Sequence, residues 1–492
     1  MSKTQFMTQK NTLASLLQRM KDYVSTKPFK VIVFSTLFFW LVANLFMATN
    51  VSFSHDGLIL YIDDAKAAYV VARGRFGQPL YWFFRGDLNV PWLCSILSLI
   101  WLILSILLIQ SFLRLRSSLS LFLLCGILTV NITNTLINAT YTPWIDLYSF
   151  ALFLALLGYK ACKKYHIKGA IVGSLLFCFS LGLYQAYLAV LLPLFLIVVI
   201  KALLEKTQTI QQIVFRTLRF ALFIILSLVL YLIFVQLSMA WYGIEAANSY
   251  NGISNLGDYS NTSIIALIGK AWLYPFQFLW SGIGAVHPSL MLAIKVLLFV
   301  FAFVLLVFLI KHQRLTLTEA LTVFICLLLM PLAANAVYVI SKGMIHELMI
   351  YGLQFFYVLA IVVVDTWYSK SNRQNRNLTQ GIRLTFAALV SVVIFNNIVF
   401  ANQVYLEKKL EYDATLSVVT RVVDRIEQVA GYKAGETPIA FIGEFCDSPL
   451  FIQREGFEHL KGVGLASSSS ITYTNGSVDG GTIYLYFTSV LG

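Results

Sequence analysis

The chain has 492 residues, 59% of them hydrophobic and 12% charged, with a mean hydropathy of +0.77. Soluble domains run at about 45–50% apolar and about 25% charged, so this composition excludes a disordered chain, a disulfide-stapled secreted module and an ordinary cytosolic enzyme. The net charge of +13 sits in short basic clusters between apolar runs. That pattern encodes membrane topology rather than nucleic-acid binding.

Residues 1–30 carry six Lys and Arg and lack both an apolar core and a cleavage site. They read as a cytoplasmic tail, with the first span as an uncleaved anchor. A membrane helix needs about 20 apolar residues. Runs of that kind predict spans near 31–50, 91–113, 118–138, 145–161, 168–185, 187–204, 215–238, 289–310, 316–338, 346–367 and 380–401. The connections with Arg114/Arg116, Lys160/Lys163/Lys164/Lys168, Lys201/Lys206/Arg216/Arg219, Lys311/Arg314 and Lys370/Arg373/Arg376/Arg383 all fall on the side of the basic N-terminus. Basic connections stay in the cytoplasm, so about eleven spans place the C-terminus outside. The predicted fold is an α-helical polytopic membrane protein: tail 1–30, transmembrane domain 31–401, and an extracytoplasmic segment 402–492.

Three outer segments are long enough to hold a site. Segment 51–90 contains Asp56, Asp63, Asp64 and Asp87 with Lys66, Arg73, Arg75 and Arg85. Segment 239–288 is aromatic and amphipathic around Trp241, Tyr242, Trp272, Tyr274, Phe276 and Trp280, and predicts helices lying in the interface. Segment 402–492 holds 11 of the 23 acids. Helical spacing of Leu406, Leu410, Val419, Val423 and Ile426, then strand-like runs at 438–442 and 481–487, predict a small α/β cap.

Acids just beyond a membrane helix are poorly solvated, which raises their pKa and suits a general base for a hydroxyl. Arginines in the same loop suit a phosphate through forked, charge-assisted hydrogen bonds. Together they fit transfer from a phosphate-linked donor, although the same residues also suit plain surface ion pairs, Arg85 with Asp87 above all. Tyr184, Gln185 and Tyr187 fit either sugar hydroxyls or a tight helical turn. Asn131, Asn134 and Asn138 share a helix face, and interhelical hydrogen bonding is expected there. Asp146 opens the fourth span as a cap or a substrate contact. Lys342, His346 and Glu347 flank the tenth span, where a cation meets a lipid phosphate or snorkels to headgroups. For Asp365 and Lys295, capping or snorkelling suffices.

The six histidines form no HxxxH or HExxH spacing and the six cysteines no CxxC pair. No metal site is expected, with a divalent ion on Asp56, Asp63 or Asp64 left open. P-loop and GxGxxG motifs are missing, which argues against a nucleotide-driven enzyme or pump. A lipid-linked sugar flippase would need polar residues along a path through the spans, and the spans are nearly free of charge. A surface-polysaccharide polymerase is the other rival, separated by product size.

The chain resembles the Gtr-type serotype-converting O-antigen glucosyltransferases, polytopic enzymes of the GT-C class. The likeness rests on His55-Asp56 after the first span and on Gly74-Arg75-Phe76-Gly77-Gln78-Pro79-Leu80-Tyr81 with Pro91-Trp92-Leu93. It continues through Gly182-Leu183-Tyr184-Gln185-Ala186-Tyr187, Ala401-Asn402-Gln403-Val404-Tyr405 and Pro438-Ile439-Ala440-Phe441-Ile442-Gly443. The resemblance implies a multi-pass enzyme of the bacterial cytoplasmic membrane that moves glucose from a polyprenyl-phosphate donor to a lipid-linked or surface polysaccharide, without a cofactor. It implies a donor synthase and a donor flippase as pathway partners, membrane lipids as surroundings and no nucleic acid. Its essential first-loop acid falls on Asp56, with Asp63 or Asp64 next. Arg75 and Gln78 are donor-binding candidates within the matched run, while Lys342 and His346 are candidates by position.

Overall fold

The computed structural model describes residues 18, 21–51, 66–86, 90–164, 166–245, 263–343, 345–371, 376–434 and 436–439. Their regular secondary structure is all helical, with no strand among them. The predicted strands at 438–442 and 481–487 lie wholly or largely outside the described residues, so the α/β cap does too.

Proline and capping residues set where the long helices begin. Helix α1 (Lys27–Thr49) starts behind Thr26, whose hydroxyl accepts from the Phe29 amide, with Pro28 in the first turn. After two short outer helices, α2 (Lys66–Val71) and α3 (Gly77–Arg85), Pro91 opens α4 (Pro91–Leu113). A proline there gives up an amide that has no helical partner anyway. The predicted third span is broken in two, α5 (Ser118–Thr129) and α6 (Ile132–Thr140). Asn131 caps α6 by accepting from the Asn134 amide, and the Asn131 and Asn134 side chains donate to the freed carbonyls of Ile127, Leu128 and Thr129. A break at membrane depth survives only when its backbone is satisfied in this way. Asn138 makes the expected interhelical bonds, to Asn44 at 2.9 Å and to the Tyr405 hydroxyl at 3.3 Å.

Helices α7 (Ile145–Lys164), α8 (His166–Leu183), α9 (Leu188–Leu204) and α10 (Ile210–Tyr242) follow. Then come α11 (Ile264–Trp280), α12 (Pro288–His312), α13 (Leu317–Ala334), the short α14 (Ala336–Ile340) and α15 (Gln354–Lys370). Thr209 with Gln212, and Thr316 with Glu319, form reciprocal capping boxes at the starts of α10 and α13. Among the described residues, ten helical stretches are long and apolar enough to cross a membrane, with α5 and α6 counted together as Ser118–Thr140. The predicted fifth span is the shorter helix Ile167–Leu183, and segment 239–288 contains a second shorter apolar helix, Ile264–Trp280. The tenth predicted span starts later than expected, because 347–349 and 351–353 are single 3₁₀ turns ahead of α15.

The last helix, α16 (Arg376–Glu427), runs 52 residues without interruption. The final predicted span and the charged helix after it are therefore one rod, and no break marks the boundary drawn at 402. Helices α9 and α15 are central and mostly buried, whereas α10, α12 and α13 turn residues such as Phe215, Phe303 and Phe324 outward. An outward apolar face of this kind suits lipid tails.

The basic connections meet at one end of the bundle. Arg116 reaches Glu205 at 3.4 Å, Lys206 donates to the Arg314 carbonyl, and Arg383 donates to Ser117. Asp365 accepts from the Arg116 and Ser117 amides at 3.0 and 3.1 Å and so caps the entry to α5, one of the two roles open to it. Lys295 likewise donates to the Leu279 carbonyl at the end of α11. At the opposite end lie α2, α3, the turn at 184–187 and the 3₁₀ turns before α15.

Helices α7 and α8 form a hairpin in backbone contact. A Cβ placed on Gly173 would sit 2.5 Å from the Gly158 carbonyl, and one on Gly158 would sit 2.7 Å from that of Gly173. Small residues allow such close approach between membrane helices. Gly173→Val is expected to cost about 1–3 kcal/mol through overpacking, seen as a lower thermal midpoint in detergent. Gly269→Ala, where a Cβ meets nothing within 4 Å, is expected to leave the midpoint in place.

Candidate functional site

Two of the motifs that carry the sequence resemblance, far apart in the chain, lock into each other. Gly74 takes a left-handed φ of 73°, which turns the chain between α2 and α3. Just beyond it, Phe76 lies so close to Gly182 that a Cβ there would come within 2.5 Å of the ring. Gln78 is fully buried: its amide nitrogen donates to the Leu183 carbonyl at 2.9 Å, and its amide oxygen accepts from the Trp144 indole at 3.2 Å. In the other direction, Gln185 donates to the Arg73 carbonyl at 2.9 Å and to the Tyr231 hydroxyl at 3.1 Å. Gln78 and Gln185, predicted to bind donor and sugar, thus spend these amide groups joining the outer loop to the bundle.

A second anchor holds the far end of α3. Arg85 Nε lies 3.4 Å from Asp146 Oδ2, with the two side chains 5% and 0% exposed. The Tyr81 hydroxyl donates to the same oxygen at 2.9 Å, and Arg85 donates to Cys94 Sγ at 2.9 Å. Burial, reinforced by the Asp146 carboxylate, pushes the Tyr81 hydroxyl well above the ordinary phenol range, so it remains a donor. Arg85 thus reaches inward to Asp146, while Asp87, its expected partner, lies outside the described residues. A charge buried at the membrane boundary needs a partner held in a fixed place, and the start of α7 supplies one.

Between these anchors sits Arg75. Its backbone is tied to Val70 and Gln78, while its guanidinium lies within electrostatic reach of the Tyr148, Tyr141, Tyr184 and Tyr231 hydroxyls. Its Nε is buried without a hydrogen-bond partner. No carboxylate among the described residues forms an ion pair with it. Tyr148 stacks on Tyr184 at 4.3 Å and also lines a polar cavity of about 20 Å³ with Asn44, Ser98, Asn134, Asn138, Ser149 and Tyr187. That space holds roughly one water. Arginine and cavity therefore share Tyr148 as a wall.

The stretch after α14 joins this end. The Tyr184 hydroxyl donates to the Leu348 carbonyl at 3.0 Å, and Thr133 donates to the Glu347 carbonyl at 2.9 Å. Lys342 is half-buried and His346 exposed on the approach to that turn, and neither pairs with Arg75 or Gln78. Asp56, Asp63, Asp64 and His55 lie outside the described residues. Among the described residues, no group of three or more His, Cys, Asp or Glu is arranged to hold a metal ion.

Sequence reasoning missed the Tyr81–Arg85–Asp146 cluster and the ring of Tyr141, Tyr148 and Tyr231. One signal was present: an acid inside an apolar run is costly unless it has a partner, and Asp146 is such an acid.

The site is thus an outer-loop helix pair keyed into a membrane bundle around a half-buried arginine. The chain belongs to a glucosyltransferase family: the family model described as Glucosyl transferase GtrII matches residues 45–366. The match runs from the end of α1 into α15 and so contains the whole interlock. No curated protein and no solved structure matches the chain.

Breaking a buried ion pair from one side costs about 3–5 kcal/mol because the other charge is stranded. Arg85→Ala and Asp146→Ala are each expected to destabilise the protein by that amount. The double variant is expected to lose clearly less than the sum, in a denaturation cycle on purified protein. Additive losses would mean that the pair does not act as a unit.

Proposed function

We propose that this family member moves a single glucose from a polyprenyl-phosphate donor to a cell-surface polysaccharide such as O-antigen, at the outer face of the bacterial cytoplasmic membrane. In this reading the basic end faces the cytoplasm, and the end bearing Arg75 faces out with the C-terminus. The observation that carries the reading is Arg75, a cation held among tyrosine hydroxyls without an ion-pair partner among the described residues. It lies in the same outer segment as Asp56, Asp63 and Asp64.

The donor enters sideways with its lipid along the apolar outer faces of the bundle. Asp56, with Asp63 and Asp64 as the alternatives, takes the proton from an acceptor hydroxyl. The oxygen attacks the anomeric carbon from the face opposite the phosphate, so configuration inverts. The bond from the anomeric carbon to the phosphate oxygen breaks, and its electron pair leaves with the lipid phosphate. Arg75 neutralises that charge, a contribution made where charge develops. Gln78, Gln185 and Tyr184 hold the loop so that Arg75 stays in place, and Tyr187 walls the polar cavity. Lys342 and His346 stand at the same end as a second cationic stretch for the lipid phosphate. A donor synthase and a donor flippase are the pathway partners this chemistry requires, and no cofactor enters the scheme.

Short-chain polyprenyl-phosphate glucose supplied with extracted lipid-linked glycan tests the proposal by mass spectrometry. A hexose added by the parent and lost in Asp56→Asn is the expected result. Transfer by both keeps the reaction and moves the base to Asp63 or Asp64. No hexose transfer by the parent across a panel of polyprenyl-phosphate sugars and glycans overturns it.

A further inference from the structure

We propose that the basic end of the bundle carries a second, separate site, for the phosphate headgroup of an anionic phospholipid, in the corner between α4, α7 and α10. Four cations from these three helices are drawn to one place. Lys160 and Lys163, on one face of α7, set their ammonium groups 5.5 and 5.6 Å from the centre of the same ring, Phe112 in the last turn of α4. Arg114 caps that helix in a left-handed conformation (φ 51°) and is exposed. From the second turn of α10, Arg216 lies over the Phe195 ring at 5.8 Å and donates to the Tyr159 hydroxyl at 3.3 Å and to Gln208 at 3.1 Å. Its Nε is buried and has no acceptor. Lys163 feels the positive charges of Arg216, Arg114 and Lys160 together.

Like charges gathered at a membrane surface repel unless an anion joins them. The acids at this end are already engaged. Glu205 binds Lys201 at 2.9 Å and Arg116 at 3.4 Å, Asp365 caps α5, and Glu319 accepts from the Thr316 amide at 2.8 Å. No carboxylate among the described residues forms an ion pair with Lys163, Arg114 or Arg216. Basic pockets between helices on the cytoplasmic side are where anionic headgroups bind.

The surroundings favour a lipid over a free phosphate. The floor of the corner is aromatic, with Phe112 against Tyr159 at 4.7 Å and Phe195 stacked on Phe220 at 4.2 Å. Beside Arg216, the α10 residues Phe215, Leu218 and Leu222 are 56–70% exposed, an apolar wall along which acyl chains can lie. A charged corner continuous with an apolar wall matches an amphiphile.

The test uses the purified full-length chain in neutral detergent micelles, titrated with phosphatidylglycerol, phosphatidylcholine or inorganic phosphate. Thermal midpoint and native mass spectrometry are the readouts. Phosphatidylglycerol alone is expected to raise the midpoint and to remain bound. The double variant Arg114→Asn/Lys163→Gln changes two exposed residues, and Asn tolerates the left-handed cap. It is expected to lower the apparent affinity for phosphatidylglycerol by roughly tenfold or more. Lys270→Gln/Lys433→Gln, exposed lysines elsewhere, is expected to bind like the parent. Parent-like binding by the corner variant, an equal shift with phosphatidylcholine, or an equal shift with inorganic phosphate would each overturn the proposal.

Discussion

The interlock of the outer loop with the turn at 182–187 is the constraint on which the site depends. A loop of charged and aromatic residues at a membrane surface has no reason to hold one position. Here it does, because Gln78 and Gln185 cross-link it to the bundle in opposite directions while Phe76 fills the space that Gly182 leaves open. Each amide satisfies buried backbone or side-chain groups that would otherwise cost about 1–3 kcal/mol unpaired. The Arg85–Asp146 pair then stops α3 from swinging about that point. With both ends of α3 held, Arg75 has little freedom, and a cation with little freedom is what electrostatic stabilisation of a leaving phosphate needs.

Hydropathy made much of the architecture legible. Ten of the eleven predicted spans correspond to helices long and apolar enough to cross, and the eleventh to a shorter apolar helix. A strong, additive signal such as 20 apolar residues survives without knowledge of neighbours. Breaks and continuations do not. Asn131 and Asn134 looked like one polar helix face, yet they serve to cap a helix interruption. The last span and the charged helix read as two units because composition changes at 402, whereas helical hydrogen bonding continues through that change.

The site was legible by segment rather than by role. The loop run and the 182–187 turn were both singled out, and they do meet. What pattern alone could not reveal is that Gln78 and Gln185 face each other's segments, or that Arg85 takes Asp146, buried at the start of α7, as a partner. Those choices depend on burial: near water a sequence neighbour serves as well as any, but inside the bundle only a fully enclosed carboxylate repays desolvation. The two ends of the bundle show the same principle with opposite outcomes. At the outer end Arg85 and Asp146 pair internally, while Arg75 has no ion-pair partner among the described residues. At the basic end the pairs Lys201–Glu205 and Arg116–Glu205 consume the acid and leave a surplus of positive charge.

The central claim is that Arg75 is held for the donor phosphate while the interlock keeps it there. Steady-state kinetics of Arg75→Gln with polyprenyl-phosphate glucose test it most directly, on protein shown to keep the parent's thermal midpoint. A rise of about tenfold or more in KM for the donor, or a matching fall in kcat/KM, with unchanged KM for the acceptor is the predicted result. Parent-like kinetics in a correctly folded Arg75→Gln protein would contradict the account.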